Sequence, residues 1–240
     1  MENSSVAGPV IMKNRRLHPT TIYLVRHGET QLNVEGRFIG MLDVPLNERG
    51  KRQARYLRLA LAGTPFDCVY SSPLQRAYET AQIALAGRKL DILPEEGLKE
   101  INCGVWEGLT GEEVQKSWGK ELTQWATSPH KLKIPGGNTF LEVQQNIRGG
   151  FDKIVEQNSG KTILFSSHMM AIQLLLMNIE GIPIADFWNV KGVDNASISA
   201  VRIEADRPPL VILWGSTDHL PSGEKNSEVT VAGRKIDCLK

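Results

Sequence analysis

The 240-residue sequence predicts a single α/β domain, a three-layer α/β/α sandwich around a mostly parallel central sheet. Two observations predict it. Short runs rich in β-branched and aromatic residues alternate with stretches whose apolar residues recur at helical spacing, the pattern of βαβ units. Three of those strand-like runs also end on a polar or charged cluster: Tyr23-Leu24-Val25 into Arg26-His27, Val69-Tyr70 into Ser71-Ser72-Pro73, and Leu164-Phe165 into Ser166-Ser167-His168. In an open parallel sheet such strand ends share one edge, and ligands bind there. There is no internal repeat and no convincing second domain, so residues 21–220 read as the domain, between a flexible N-terminal tail (1–20) and a C-terminal tail (221–240).

In order, Thr21 to Val25 is the first strand, stopped by Gly28. Thr30 to Val34 reads as a short helical turn, and Glu35 to Gly40 as a loop with two glycines bracketing Arg37. Asn47 caps a helix from Glu48 to Ala62, whose Ala54, Leu57, Ala60 and Leu61 keep helical spacing and which Gly63 and Pro65 end. Phe66 to Ser71 is the second strand; Ser72 and Pro73 then open a helix from Leu74 to Ala86 with Arg76 in its first turn. Leu90 to Leu93 is a short third strand, and Leu98 to Leu109 is irregular, with Glu100 near its start and Trp106-Glu107-Gly108 near its end.

A capping box, Thr110-x-x-Glu113, starts a helix to about Ser117. Residues 119–138, with Pro129, Pro135, Gly136 and Gly137, read as a lid or insertion holding a short helix from Glu121 to Ala126. A second capping box at Thr139 and Glu142 opens a helix from Phe140 to Gln157. Gly149-Gly150 inside it costs about 1 kcal/mol per glycine relative to alanine, which implies a bend or close packing. Lys161 to Ser166 is the fourth strand, Met169 to Ile179 a buried helix, and Ser197 to Ile203 and Leu210 to Trp214 the last two strands. In the C-terminal tail, Val229-Thr230-Val231 and Lys235-Ile236-Asp237 pair as a small hairpin.

Bulk composition excludes more than it selects. The chain is 41% hydrophobic and 23% charged with net charge +1, so nothing points to nucleic acid or a membrane surface. The longest apolar stretch, Met169 to Ile179, is broken by Gln173 and Asn178 and is too short to span a bilayer. Residues Met1 to Pro19 lack a signal-peptide core. Cys68, Cys103 and Cys238 are widely spaced without a Cys-x-x-Cys, which suggests neither a disulfide framework nor a thiolate metal site. A cytoplasmic protein with reduced thiols is expected, with His18, His130 and His219 on the surface or in the tails.

The shared sheet edge would gather two imidazoles and two guanidiniums, with helix N-termini at Ser72 and His168 adding partial positive charge. Such a pocket suits a phosphoryl group, whose charge must be neutralised before a nucleophile can approach. Imidazole can attack while neutral, and nearby arginines hold its pKa down. A carboxylic acid must then protonate the departing oxygen; Glu100 and Glu107 are the candidates.

Taken together, Arg26-His27-Gly28-Glu29-Thr30, Asn33, Gly36-Arg37-x-x-Gly40, Pro45-Leu46-x-Glu48-x-Gly50, Ser71-Ser72-Pro73-Leu74-x-Arg76-Ala77, Leu98-x-Glu100-Ile101-x-x-Gly104-x-Trp106-Glu107-Gly108 and Ser167-His168 resemble the histidine phosphatase superfamily. They most resemble its phosphoglycerate-mutase-like branch, and the Gly-x-Trp-Glu-Gly segment is similar to that of broad-specificity and α-ribazole phosphatases. The resemblance implies a phosphomonoesterase that needs no metal or cofactor and acts on a small phosphorylated substrate. It implies His27 as the phosphohistidine, Arg26, Arg76 and His168 as the grip on the phosphoryl oxygens, and Glu100 as proton donor, with Glu107 structural. Asn33, Gly40 and Met169 would contact substrate, and a homodimer stays open.

Two positions depart from the family pattern. Met169-Met170 stands where Gly-Gly usually follows the second histidine, and Ile39 where glutamine is common. A cofactor-dependent mutase is the alternative reading. Such mutases carry Glu-Arg-His-Tyr-Gly at the acid and a long basic insertion, where this chain has Glu100-Ile101-Asn102-Cys103-Gly104 and only Lys116, Lys120, Lys131 and Lys133 nearby. A weakly active regulator that binds a phosphorylated ligand is the third reading, against which the full His-Arg-Arg-Glu-His set argues.

Overall fold

The computed structural model describes residues 19–225, together with the backbone of 229–231 and 234–236. The expected N-terminal tail lies almost wholly outside the described residues. The first strand, β1 (Thr20–Arg26), is followed by the four-residue helix α1 (Gln31–Val34) and by α2 (Glu48–Ala60). Then come β2 (Cys68–Ser71), α3 (Gln75–Ala84) and β3 (Ile92–Pro94). The helices α4 (Gly111–Thr127) and α5 (Phe140–Gln157) precede β4 (Thr162–Ser167) and α6 (Met169–Glu180). Two long strands, β5 (Ile198–Ile203) and β6 (Leu210–Ser216), complete the main sheet. The short strands β7 (Val229–Val231) and β8 (Arg234–Ile236) pair antiparallel with each other.

The six-stranded sheet has the order β3-β2-β4-β1-β5-β6. The first four strands in that order run parallel, and β5 and β6 are antiparallel additions. Central parallel strands are buried on both faces and therefore read as continuous apolar runs. In β1, Ile22, Leu24 and Val25 are fully buried. Ile22 and Leu24 pack with α5 and α6, whereas Val25 packs with Leu57 and Leu61 near α2 and with Ala84 and Leu85 near α3. This alternation of period two makes the three layers. Helix α6 is apolar on nearly every side because it is buried from Met170 to Met177. Register also places the site: Arg26 lies opposite Ser167 and Ser71 opposite Ser166, so the C-terminal ends of three parallel strands finish level.

Three local expectations change, and the close packing expected at Gly149-Gly150 is met. The third strand begins at Ile92 rather than Leu90 and ends at Pro94. The 119–138 stretch is not a lid. Helix α4 runs through it to Thr127 with one non-helical residue, Trp118 (φ −136°, ψ 41°), near the expected break. Leu122, Trp125, Leu132 and Ile134 are buried, and Trp125 packs against Trp106, Phe140 and Trp188. Helix α5 passes unbroken through Gly149-Gly150, and the second glycine is needed for close packing: a Cβ on Gly150 would lie 3.3 Å from the Gly97 Cα. Finally, α3 starts at Gln75, not at Pro73, and Ser72 does not cap it; the Gln75 N–H donates to Asp43 at 2.6 Å. Cys68 and Cys103 are free thiols, and no helix among the described residues is long and apolar enough to cross a membrane.

Candidate active site

The backbone after β1 is fixed on all sides. The His27 N–H donates to the Ser167 carbonyl at 3.0 Å, which ties the end of β1 to the end of β4. The His27 carbonyl accepts from the Ala196 N–H and from Asn195 Nδ2. The Gly28 N–H donates to Thr80 Oγ1 on α3, and the Glu29 N–H to Gln53 Oε1 on α2. The turn and the start of α2 touch so closely that neither side tolerates a side chain. A Cβ on Gly28 would lie 2.5 Å from the Gly50 carbonyl oxygen, and one on Gly50 would lie 2.1 Å from that of Glu29. The Glu29 carboxylate accepts from Asn47 Nδ2 and pairs with Arg49, both at 2.8 Å.

His27 is held in one useful tautomer. Its Nδ1 lies 2.7 Å from the Gly28 carbonyl oxygen, which can only accept, so Nδ1 carries the proton. The lone pair is then on Nε2, which receives a 3.3 Å hydrogen bond from Arg76 Nε. Arg76 is aimed by two further bonds, Nη1 to the Leu42 carbonyl and Nη2 to the Gly40 carbonyl, each 2.8 Å. Arg26 Nη1 donates to the Val193 carbonyl at 2.8 Å. The His168 ring stands 5.2 Å from that of His27, with its Nε2 2.7 Å from Ser72 Oγ. The Ser72 hydroxyl oxygen already accepts from the Leu74 N–H, so its proton can go to His168 Nε2. That leaves His168 Nδ1, buried and without a protein partner, as an N–H donor.

These four side chains are at most 7% exposed, and burial governs their charge. Burial, then Arg76 and Arg26, hold the His27 pKa well below the usual 6.5. His168 is likewise lowered by burial, Arg76, His27 and Arg26. Burial brings even Arg76 down to about 10. The Glu100 carboxyl moves the other way. Its oxygens accept from the Ile101 N–H at 3.0 Å and the Met170 N–H at 3.4 Å, yet loss of water outweighs these bonds and the two arginines and raises its pKa from 4.5. The site therefore pairs a neutral imidazole with a carboxyl shifted toward its acid form, beside two guanidiniums.

The remaining expected residues fall in different places. Glu107 Oε1 accepts from the Met41 and Cys103 N–H groups and braces the loop that aims Arg76. Gly40 lies in that loop with φ +51°, where a Cβ would sit 2.4 Å from Glu107 Oε1; what it offers the site is the carbonyl that holds Arg76. The side-chain oxygen of Asn33 accepts from the Thr30 N–H and hydroxyl in the capping box of α1. Met169 is half-buried in the first turn of α6, and it is the next residue, Met170, whose N–H reaches Glu100. The partial charge expected from α3 meets Asp43 instead of the pocket.

Thr80, Gln53, Asn195 and Asp43 went unnoticed in the sequence. Thr80 and Gln53 carried a signal, since each is a polar residue on an otherwise apolar helix face and is fully buried. Asn195 and Asp43 lie in loops with no such pattern. His219, expected at the surface, is half-buried and bonds to the Ala196 backbone, behind the loop that holds His27. Among the described residues no three His, Cys, Asp or Glu side chains gather in a metal-binding group.

Known proteins resemble this chain over most of its length. A profile of the histidine phosphatase superfamily, branch 1, matches residues 22–216. Phosphoserine phosphatase 1 of Hydrogenobacter thermophilus is 33% identical over 199 residues, which cover 83% of this chain and 93% of that protein. The adenosylcobalamin/alpha-ribazole phosphatase of Escherichia coli is 31% identical over 194 residues, 80% of this chain and 94% of the relative. Among solved structures, YhfR of Bacillus stearothermophilus superposes with a TM-score of 0.81 at 32% identity, covering 83% of this chain and 98% of that one. The chain belongs to the histidine phosphatase superfamily, branch 1, and so to the phosphoric monoester hydrolases.

Proposed function

We propose that this protein hydrolyses a small phosphorylated metabolite by double displacement through a phosphohistidine on His27, without a metal ion. The observation that carries the reading is the His27 tautomer: the Gly28 carbonyl fixes the proton on Nδ1 and turns the Nε2 lone pair toward Arg76. Arg26, Arg76 and His168 Nδ1–H take the phosphoryl oxygens and spread their charge, the task a metal performs in other phosphoryl-transfer sites.

In the first step Nε2 forms a bond to phosphorus, the ester P–O bond breaks, and the Glu100 proton goes to the departing alcohol oxygen. In the second, the Glu100 carboxylate takes a proton from water as that oxygen attacks phosphorus. The N–P bond then breaks, inorganic phosphate leaves, and His27 and Glu100 return to their starting states. The names of the relatives support hydrolysis of a phosphate monoester. The physiological metabolite is one whose alcohol part fits beside Glu100.

The test is turnover of an aryl phosphate by wild type and His27→Ala, with and without a strong chelator. Chelator-resistant hydrolysis that falls by at least about 1,000-fold in the variant is expected, together with an acid-labile phosphoenzyme in a quenched wild-type reaction. Undiminished turnover by His27→Ala would overturn the reading. Interconversion of phosphoglycerates with 2,3-bisphosphoglycerate, in place of hydrolysis, would establish the mutase instead.

A further inference from the structure

A cleft of about 540 Å³ adjoins the site and shares one residue with it, Glu100. The volume lies within the range of small-molecule sites. Its relation to the chemistry follows from burial. Arg26, His27, Arg76 and His168 are almost wholly enclosed, so a phosphoryl group held among them lies inside the protein. The departing oxygen must meet Glu100, because Glu100 gives it a proton. The rest of the ester therefore extends past Glu100, and the cleft is lined there by Glu100 and by Met41, which lies between the Gly40 and Leu42 carbonyls that hold Arg76.

The walls of the cleft describe what it accepts. Met41 and Val143 are its only large apolar side chains, whereas Asn138, Gln145 and Asn146 offer amide donors and acceptors. The ionic groups nearly cancel. Lys153 pairs with Glu95 at 2.8 Å, and Lys99 with Glu96 at 2.5 Å. Glu100 adds a third carboxyl against the two lysines. No cation on this wall lacks an acidic partner for a second anionic group to claim. Resting on the phosphatase reading, we infer that the alcohol part of the substrate is polar and hydrogen-bonding, carries net charge of zero or above, and is selected in this cleft with Glu96 and its Lys99 partner setting the charge preference.

Two esters of nearly equal size isolate the charge. Glycerol 3-phosphate and 3-phosphoglycerate differ in a hydroxymethyl against a carboxylate, and phosphoethanolamine carries an ammonium. Wild type is expected to show a higher kcat/KM for glycerol 3-phosphate and for phosphoethanolamine than for 3-phosphoglycerate. Glu96→Lys reverses a charge on a side chain that is 75% exposed, so folding is not at risk. It should move the ratio toward 3-phosphoglycerate by about two- to five-fold, the scale of a screened rim charge, chiefly through KM.

Preference of the wild type for 3-phosphoglycerate, an unchanged ratio in Glu96→Lys, or turnover of the aryl ester with none of the three alkyl esters would each overturn the inference and leave the phosphatase reading intact. Failure to hydrolyse any ester, aryl included, would overturn both.

Discussion

In the proposed reaction His27 and Glu100 need opposite protonation states at the same pH. In water a glutamic acid with pKa 4.5 has lost its proton before a histidine with pKa 6.5 has lost one, so the productive pair is rare. Burial moves both in the helpful direction, lowering the imidazole and raising the carboxyl. The kcat/KM profile for an alkyl ester is therefore expected to be bell-shaped, with an acid limb from His27 displaced below pH 6.5 and an alkaline limb from Glu100 displaced above pH 4.5. Glu100→Gln should abolish the alkaline limb and lower kcat by about 100- to 10,000-fold for alkyl esters. An aryl ester should lose less, since its oxygen departs without a proton. A retained alkaline limb in that variant would assign the acid elsewhere.

The same shifts set a pH dependence of stability. His27 and His168 bind protons more weakly folded than unfolded, so the stability they contribute is complete above pH 6.5 and is lost as pH falls toward their lowered folded values. Glu100 acts in reverse: its contribution is complete below pH 4.5 and is lost as pH rises through the raised folded value. Between pH 7.5 and 5.5 the two histidines should dominate, and the urea midpoint should fall. His168→Gln should remove part of that fall, which unfolding at the two pH values would measure.

At the level of elements, the close approach of the His27 turn to α2 makes Gly50 as exacting as any side chain in the site. Gly50→Ala forces a Cβ against the Glu29 carbonyl, and about 1–3 kcal/mol of destabilisation is expected, with kcat reduced because the same turn holds His27. The capping boxes make a milder test. Thr139→Ala at the start of α5 removes the acceptor for the Glu142 N–H and should cost about 1 kcal/mol, with activity kept. Both boxes were legible because their bonds are local in sequence. The fusion of the two expected helices, to Ser117 and from Glu121 to Ala126, into one α4 was not legible. Gly119 and the Pro129-to-Gly137 stretch read as loop, but tertiary packing of Leu122 and Trp125 against Trp106 and Phe140 carries the helix on past the distorted Trp118.

Over the whole molecule, the segment after β6 acts as a strap that returns to the sheet edge carrying His27. Leu220 is 3% exposed within the core layer of α2 and α3, and Glu224 lies between Arg49 and Arg52 of α2. Gln53 joins the strap to the site, since it donates to the Glu224 carbonyl and accepts from the Glu29 N–H. Leu220→Ala is expected to cost about 2–5 kcal/mol in urea unfolding. This coupling crosses more than 170 residues of sequence, and no local pattern announces it.

The layer order, the parallel core and the meeting of His27, Arg76, Glu100 and His168 at one sheet edge could be read from the chain, because strand and helix periods, strand ends and motif order are local properties. Three-dimensional packing decided the rest: the His27 tautomer, the Asp43 cap on α3, the buried supports Thr80, Gln53 and Asn195, and the cleft beside Glu100. Each of these depends on which distant segments meet once water is excluded. A hydrogen bond between residues far apart in sequence leaves no periodicity behind it, only a polar residue that must find its partner when the core closes.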